Sequence, residues 1–150
     1  FNINAKFNIY EAYCETSARF INVLIYSFFN NLKMESYINF KENFKDAFQK
    51  EVKNSLGKAR IIISRISNGE NYQENSNVYD YYVITAMLLY NYFNYLKFIK
   101  YDFNFVKTDK NIQDFTNLII SSYNKKFLEA LDCVGLTKSN SLKMTITNVF

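Results

Sequence analysis

The sequence predicts an all-α fold, a single compact bundle of four to six helices with a central apolar helix and an extended C-terminal tail. Apolar side chains recur every three to four residues through most of the chain, which is the period of an amphipathic helix. A length of 150 residues fits one domain. A chain of this size buries about 70% of its unfolded surface on folding, which is enough for a self-sufficient core.

Two long helices are predicted in the first half of the chain, over 7–33 and 36–67. The apolar stripe of the first helix consists of Phe7, Tyr10, Cys14, Ala18, Ile21, Leu24, Ile25, Phe28 and Leu32. Residues 20–29 indicate a buried helix, because a membrane span needs about 20 apolar residues and no segment here is long enough. The second helix carries Gly57 inside its stripe, where glycine costs about 1 kcal/mol relative to alanine. This cost leaves room for a kink or break near Gly57.

Two further helices and a tail complete the predicted order. Residues 68–77 contain turn-forming side chains throughout and predict the main loop. Segment 78–100 carries apolar side chains in nearly every direction, which is typical of a central helix surrounded by others. The fourth helix covers 109–134. Residues 136–150 alternate apolar and polar side chains, which predicts an extended tail.

The chain contains no histidine, and this excludes several classes of active site. Ser-His-Asp and Cys-His catalysis, His-ligated zinc and haem, and the di-iron Glu-x-x-His site all require that residue. Only three glycines are present, which is too few for a Gly-rich phosphate loop. We therefore predict a non-enzymatic protein with no catalytic residues, no cofactor and no metal site.

Acidic side chains offer two less favoured alternatives. The pairs Glu11/Glu15 and Glu42/Asp46 each share a helix face, but on predicted solvent faces, which favours solvated charge over acid–base chemistry. Asp80 lies in the first turn of the third helix, where a carboxylate complements the helix dipole. A ligand-orienting role is the alternative interpretation of Asp80.

The two cysteines, Cys14 and Cys133, cannot build a disulfide framework. We expect two free, buried thiols in a reducing compartment, which points towards an intracellular location. A single bridge joining the two ends of the chain is the alternative.

Aromatic residues, 15 Phe and 13 Tyr, are more numerous than one bundle of this length needs to bury. Part of this richness reflects an A/T-rich genome, such as that of a parasite, an endosymbiont or a virus, because Asn, Lys, Ile, Phe and Tyr form more than half of the chain. The remaining excess predicts a protein contact on the third helix. The candidate contact residues are Tyr79, Tyr82, Tyr90, Tyr92 and Tyr95, and core packing is the alternative that is favoured for them.

The basic residues are concentrated in segment 41–65, which carries seven positive and three acidic side chains and accounts for the whole net charge of +4. The positive side chains spread around the predicted helix and do not form one stripe, so nucleic-acid binding is less favoured than a solvated helix face. The candidate basic contacts are Lys53, Lys58 and Arg60.

The predicted function is a helical protein–protein interaction or structural subunit module. Its partner is another protein chain or a second copy, contacted through the third helix and the tail. One alternative is a nucleic-acid-binding subunit that uses segment 41–65. The other is a carrier whose aromatic core encloses an apolar ligand.

Overall fold

The computed structural model describes residues 8–32, 36–67, 78–100 and 103–134. The predicted loop over 68–77 and the predicted tail over 136–150 lie outside these residues. The all-α prediction is confirmed: the described residues form six α-helices and one π-helical turn, packed compactly, and contain no strand.

The first two helices form a long antiparallel pair. Helix α1 spans Ile9–Asn31 and helix α2 spans Tyr37–Ser67. The Asn31 side chain donates to the Ser36 carbonyl at 3.0 Å where the two helices meet. Helix α2 is continuous through Gly57, so it contains no break at this residue. Burial of the flanking residues 55–59 against the bundle offsets the conformational cost of that glycine.

The centre of the bundle is formed by the segment predicted as one helix over 78–100. It begins with a π-helical turn, Asp80–Ile84, and continues as α3, Thr85–Tyr90, and α4, Tyr92–Phe98. Every residue from 82 to 89 is buried, as expected of a central helix.

The junction between α3 and α4 lies at Asn91, which has φ −99° and ψ 34°. Its side-chain amide donates to the carbonyls of Met87 at 2.9 Å and of Ser122 at 3.4 Å, and so joins the junction to the end of the next helix. Lys100 then adopts φ 52°, the left-handed conformation that commonly ends a helix.

The segment predicted as one helix over 109–134 is two helices, α5 at Asp109–Ser122 and α6 at Lys125–Cys133. Thr108 caps α5 by accepting from the Asn111 backbone N–H at 3.2 Å. Asn124 caps α6 by accepting from the Phe127 backbone N–H at 3.1 Å. Asparagine is a strong N-cap because its short side chain reaches these unpaired amides, and here this local bond restarts the helix within one apolar stripe.

Aromatic side chains join α1, α4 and α5 on one side of the core. The Tyr13 and Phe105 rings lie 4.9 Å apart, and those of Phe98 and Phe115 lie 5.3 Å apart. The Phe115 side chain is fully buried. Offset and edge contacts of this kind add about 0.5–1.5 kcal/mol per pair beyond the apolar burial itself.

Replacing the α6 cap, Asn124→Ala, is expected to lower the free energy of unfolding by about 1 kcal/mol, because the Phe127 N–H loses its acceptor. Urea denaturation followed by circular dichroism measures the change. The matched control is Asn117→Ala, at an exposed position inside α5. Equal losses in the two variants would contradict the capping role.

Candidate protein-interaction surface

Most of the described members of the α1 apolar stripe lie on the outside of the bundle. Residues 20–29 were predicted as a buried helix, and that prediction is wrong for the stripe, because Ile25, Phe28 and Leu32 are 40%, 56% and 53% exposed. The outward members form a surface that we call the α1 seam: Cys14, Ala18, Ile21, Ile25, Phe28 and Leu32.

The seam follows a heptad pattern. Its successive members are 4, 3, 4, 3 and 4 residues apart in the sequence. This is the spacing with which one helix packs side chains into the holes of another. From Ala18 to Leu32 the seam runs for about 21 Å at 1.5 Å per residue. A helix of this length with an uncovered heptad face is suited to packing against a second helix.

The orientation of α1 is set by a buried charge on its opposite face. Arg19 is 3% exposed and donates from Nε to Glu15 Oε1 at 2.6 Å. Its Nη1 donates to Ser55 Oγ at 2.9 Å and reaches Glu51 Oε1 at 3.4 Å, with Glu51 fully buried on α2. Burying a charge is tolerated only when it is paired and hydrogen-bonded, so these contacts require this face to point inward.

Two buried hydroxyls on the inward face are satisfied within α1. Thr16 donates to the Ala12 carbonyl and Ser27 to the Val23 carbonyl, each at 2.7 Å. Each hydroxyl therefore pairs with the turn that precedes it, and its burial leaves no donor unsatisfied. Glu15 was predicted on a solvent face, and its ion pair with buried Arg19 places it against the core instead.

The groups around Arg19 perturb one another. Burial lowers the pKa of Lys58, and Arg19 lowers it further, while Glu51 and Glu15 act in the opposite direction. Burial raises the pKa of Tyr82. The interior charges therefore belong to one coupled cluster across α1 and α2, at the centre of the helix pair.

Two further contacts hold α1 at its N-terminal half. Asp80 Oδ2 accepts from the Asn8 backbone N–H at 2.6 Å, so this carboxylate lies at the positive end of α1 rather than serving only its own helix. The hydroxyls of Tyr95 and Ser17 lie 2.5 Å apart, and Tyr95 also donates to the Tyr13 carbonyl at 3.2 Å. The rotation of α1 is thus fixed at several points along its length.

Two further exposed apolar side chains lie at the start of α2. Tyr37 is 78% exposed and Ile38 is 67% exposed. The hydrogen bond from the Asn31 side chain to the Ser36 carbonyl brings the start of α2 close to the end of α1. Arg19 is the one charged residue in the sequence between Ala18 and Leu32, and it is buried.

The five predicted contact tyrosines fall into two groups. Tyr79, Tyr82 and Tyr95 are buried in the core, which agrees with the core-packing alternative for these three. Tyr90 and Tyr92 are half-buried and line a groove beside α2.

The three predicted basic contacts do not share one surface. Lys53 is exposed, whereas Lys58 is buried. Arg60 donates from Nη1 to the Asp132 carbonyl at 3.2 Å and to the Val134 carbonyl, so it caps the end of α6. Of the three, Lys53 alone projects into solvent, and nothing in this arrangement favours nucleic-acid contact.

The two cysteines are free thiols, as expected from the sequence, but both are exposed. The expectation that they are buried is wrong because it placed Cys14 on an inward stripe. Cys14 lies at one end of the seam, on the face of α1 opposite the Arg19 cluster.

The sequence pattern shows the apolar stripe of α1 but not that most of it faces solvent. The signal that could have shown this is the placement of Arg19, Thr16 and Ser27 on the opposite face of α1. Whether such polar residues are buried depends on acceptors on α2, which a pattern within α1 does not contain.

Within the described ranges, no helix is long and apolar enough to cross a membrane. The same residues contain no group of three His, Cys, Asp or Glu side chains that could hold a metal ion. Comparison with protein families, with curated proteins and with solved structures finds no match.

The lowered pKa of Lys58 predicts a pH effect on stability. At pH values below the lowered pKa, Lys58 is charged in the folded protein, and burial of this charge reduces the free energy of unfolding. Between the lowered pKa and the ordinary value of 10.5, Lys58 is neutral in the folded protein but still protonated in the unfolded chain. The free energy of unfolding therefore rises with pH over this interval. Lys58→Met removes the titration. The stability of the wild type relative to Lys58→Met should therefore increase as the pH rises from neutral towards 10.5.

Urea denaturation at several pH values gives this difference. Lys53→Met, at an exposed position on the same helix, is the matched control and should keep a constant difference from the wild type. A wild-type stability that falls relative to Lys58→Met over the same interval would contradict the assignment.

Proposed function

We propose that this protein is a non-enzymatic structural module that assembles with a second copy of itself through the α1 seam. The observation that supports this proposal is the uncovered heptad face of α1, with four large apolar side chains between 38% and 56% exposed. Large contiguous apolar surface is uncommon on a monomer and is typical of a protein–protein interface.

The seam is complementary to itself in the antiparallel direction. With Ile25 at the two-fold axis, Ala18 of one copy lies opposite Leu32 of the other. Ile21 then lies opposite the exposed Phe29, and Phe28 lies opposite Asn22. Small side chains therefore face large ones at both ends, which is how packed helix layers interdigitate.

A parallel arrangement would be packed less well. It would set Ala18 against Ala18 and Leu32 against Leu32, leaving a gap at one end and crowding at the other. It would also align the two helix dipoles, whereas the antiparallel arrangement opposes them. These two effects favour the antiparallel pair.

Charge also favours a second copy as the occupant. Between positions 18 and 32, the residues that flank the seam include Asn22, Leu24, Phe29 and Asn31, none of which is charged. In an antiparallel two-fold interface each of them lies opposite a different residue of the second copy, and only residues at the axis meet their own counterparts. A second copy of this uncharged surface matches it without like-charge repulsion, whereas the surface offers no charge to select a different, charged partner.

The substitution Ile25→Glu is expected to convert the dimer into a monomer, because it places two carboxylates at the two-fold axis in an apolar interface. We expect affinity to fall by at least tenfold. Size-exclusion chromatography with light scattering measures the mass. The matched control is Ile112→Glu on α5, where the isoleucine is 39% exposed against 40% for Ile25.

Retention of the dimer by Ile25→Glu would contradict the seam as the interface. Dissociation by Ile112→Glu alone would place the interface on α5 instead.

Direction is tested by a single added thiol, Ile25→Cys, in a chain that also carries Cys14→Ser and Cys133→Ser. The antiparallel pair brings the two residues at position 25 together at the axis, within the distance at which a disulfide forms. Mild oxidation should give a covalent dimer on non-reducing electrophoresis. Ile112→Cys in the same background is the control and should remain monomeric on the gel.

A further inference from the structure

A groove beside α2 forms a second surface, separate from the seam. Its volume is about 690 Å³, and it lies between α2, the α3–α4 junction and the end of α6. Small-molecule sites in proteins have volumes of about 300–1,000 Å³. The groove therefore has the size of a small-molecule site.

The floor of the groove is a ladder of apolar side chains four residues apart on α2. Phe44 and Phe48 stack with their ring centroids 5.7 Å apart. Tyr92 from α4 meets Phe48 edge-on at 4.9 Å. Val52 and Leu56 extend the same row towards α6. This row provides a continuous apolar track for a chain-like ligand.

A second row on α2 runs beside the floor and is basic. Lys41, Lys45 and Lys53 line the groove and are exposed, with Gln49 between the last two. No carboxylate is among the described residues that line it. The groove thus has an apolar floor along its length and positive charge along one side.

We propose that this groove binds a long-chain fatty acid, with its carboxylate at the lysine row and its acyl chain along the aromatic floor. A carboxylate accepts charge-assisted hydrogen bonds from lysine, and an acyl chain gains from burial on apolar side chains. This ligand matches both rows at once, whereas a neutral apolar compound leaves the lysine row unused.

One other occupant of the groove and one other ligand site fit less well. The other occupant is the sequence after Val134, which contains Lys138 and Lys143 and no acidic side chain and so offers no charge complementary to the lysine row. A second cavity, of about 540 Å³, is lined by Ile9, Tyr79 and Tyr123 among others, and no charged side chain lines it among the described residues. That cavity has no group that would orient an anionic head.

The test is titration calorimetry of the full chain with hexadecanoate below its micellar concentration. Lys45→Glu is expected to weaken binding by about tenfold, because it removes a charge-assisted bond and adds repulsion. Lys50→Glu is the matched control, since Lys50 is exposed on the same helix and does not line the groove. Hexadecanol has the same acyl chain length without the charge. It should bind more weakly than hexadecanoate, and neither Lys45→Glu nor Lys50→Glu should change its affinity.

Cys133 gives an independent readout, because it is exposed and lines the groove. Hexadecanoate should slow its reaction with a thiol reagent in a Cys14→Ser chain. The thiol of Cys14, measured in a Cys133→Ser chain, should be unaffected. Ile25→Glu should leave hexadecanoate binding unchanged, which separates this site from the seam.

Three results would overturn the proposal. If hexadecanoate does not bind the wild-type chain, a long-chain fatty acid is not the ligand of the groove. Equal weakening by Lys45→Glu and Lys50→Glu would show attraction by net charge alone. Binding that leaves Cys133 as reactive as before would place the ligand elsewhere on the protein.

Discussion

The pairing of Arg19 with Glu15, Glu51 and Ser55 is the constraint on which the rest of the structure depends. Removing one partner of a buried ion pair costs about 3–5 kcal/mol, because it leaves an uncompensated charge. Turning α1 over to bury its apolar seam would break these contacts. Exposing a large apolar side chain costs about 1.5–3 kcal/mol when the exposure is complete, and the seam residues are about half exposed. Exposure of the seam therefore lowers the stability of the isolated fold, and this free energy is regained only when the seam is covered.

The sequence predicts the helices well and their orientation less well. The buried run from 82 to 89 was predictable, since a helix that is apolar on every side has no choice of face. Helix α1 has two usable faces, one with the seam and one with Tyr13 and Phe20 beside Arg19. The choice between them depends on Glu51, which is 32 residues away from Arg19 in the sequence and which no local pattern connects to it.

The breaks between α3 and α4 and between α5 and α6 were missed for a related reason. Each lies at one asparagine, Asn91 or Asn124, whose side chain binds particular backbone groups. Asparagine also occurs inside continuous helices here, as at Asn54 and Asn117, so its presence alone does not mark a break. Of the predicted site residues, Lys53, Tyr90 and Tyr92 all line the α2 groove, although the sequence assigned them to different functions.

The central claim, that α1 faces outward and pairs antiparallel with a second copy, is tested most directly by one intermolecular distance. A spin label on Cys14, in a chain carrying Cys133→Ser, reports the separation of the two labels by double electron–electron resonance. Position 14 lies 11 residues from the proposed axis at Ile25, so we expect about 35 Å from the helix rise and the width of the pair. A separation near 10 Å, or no intermolecular coupling at all, would contradict the claim.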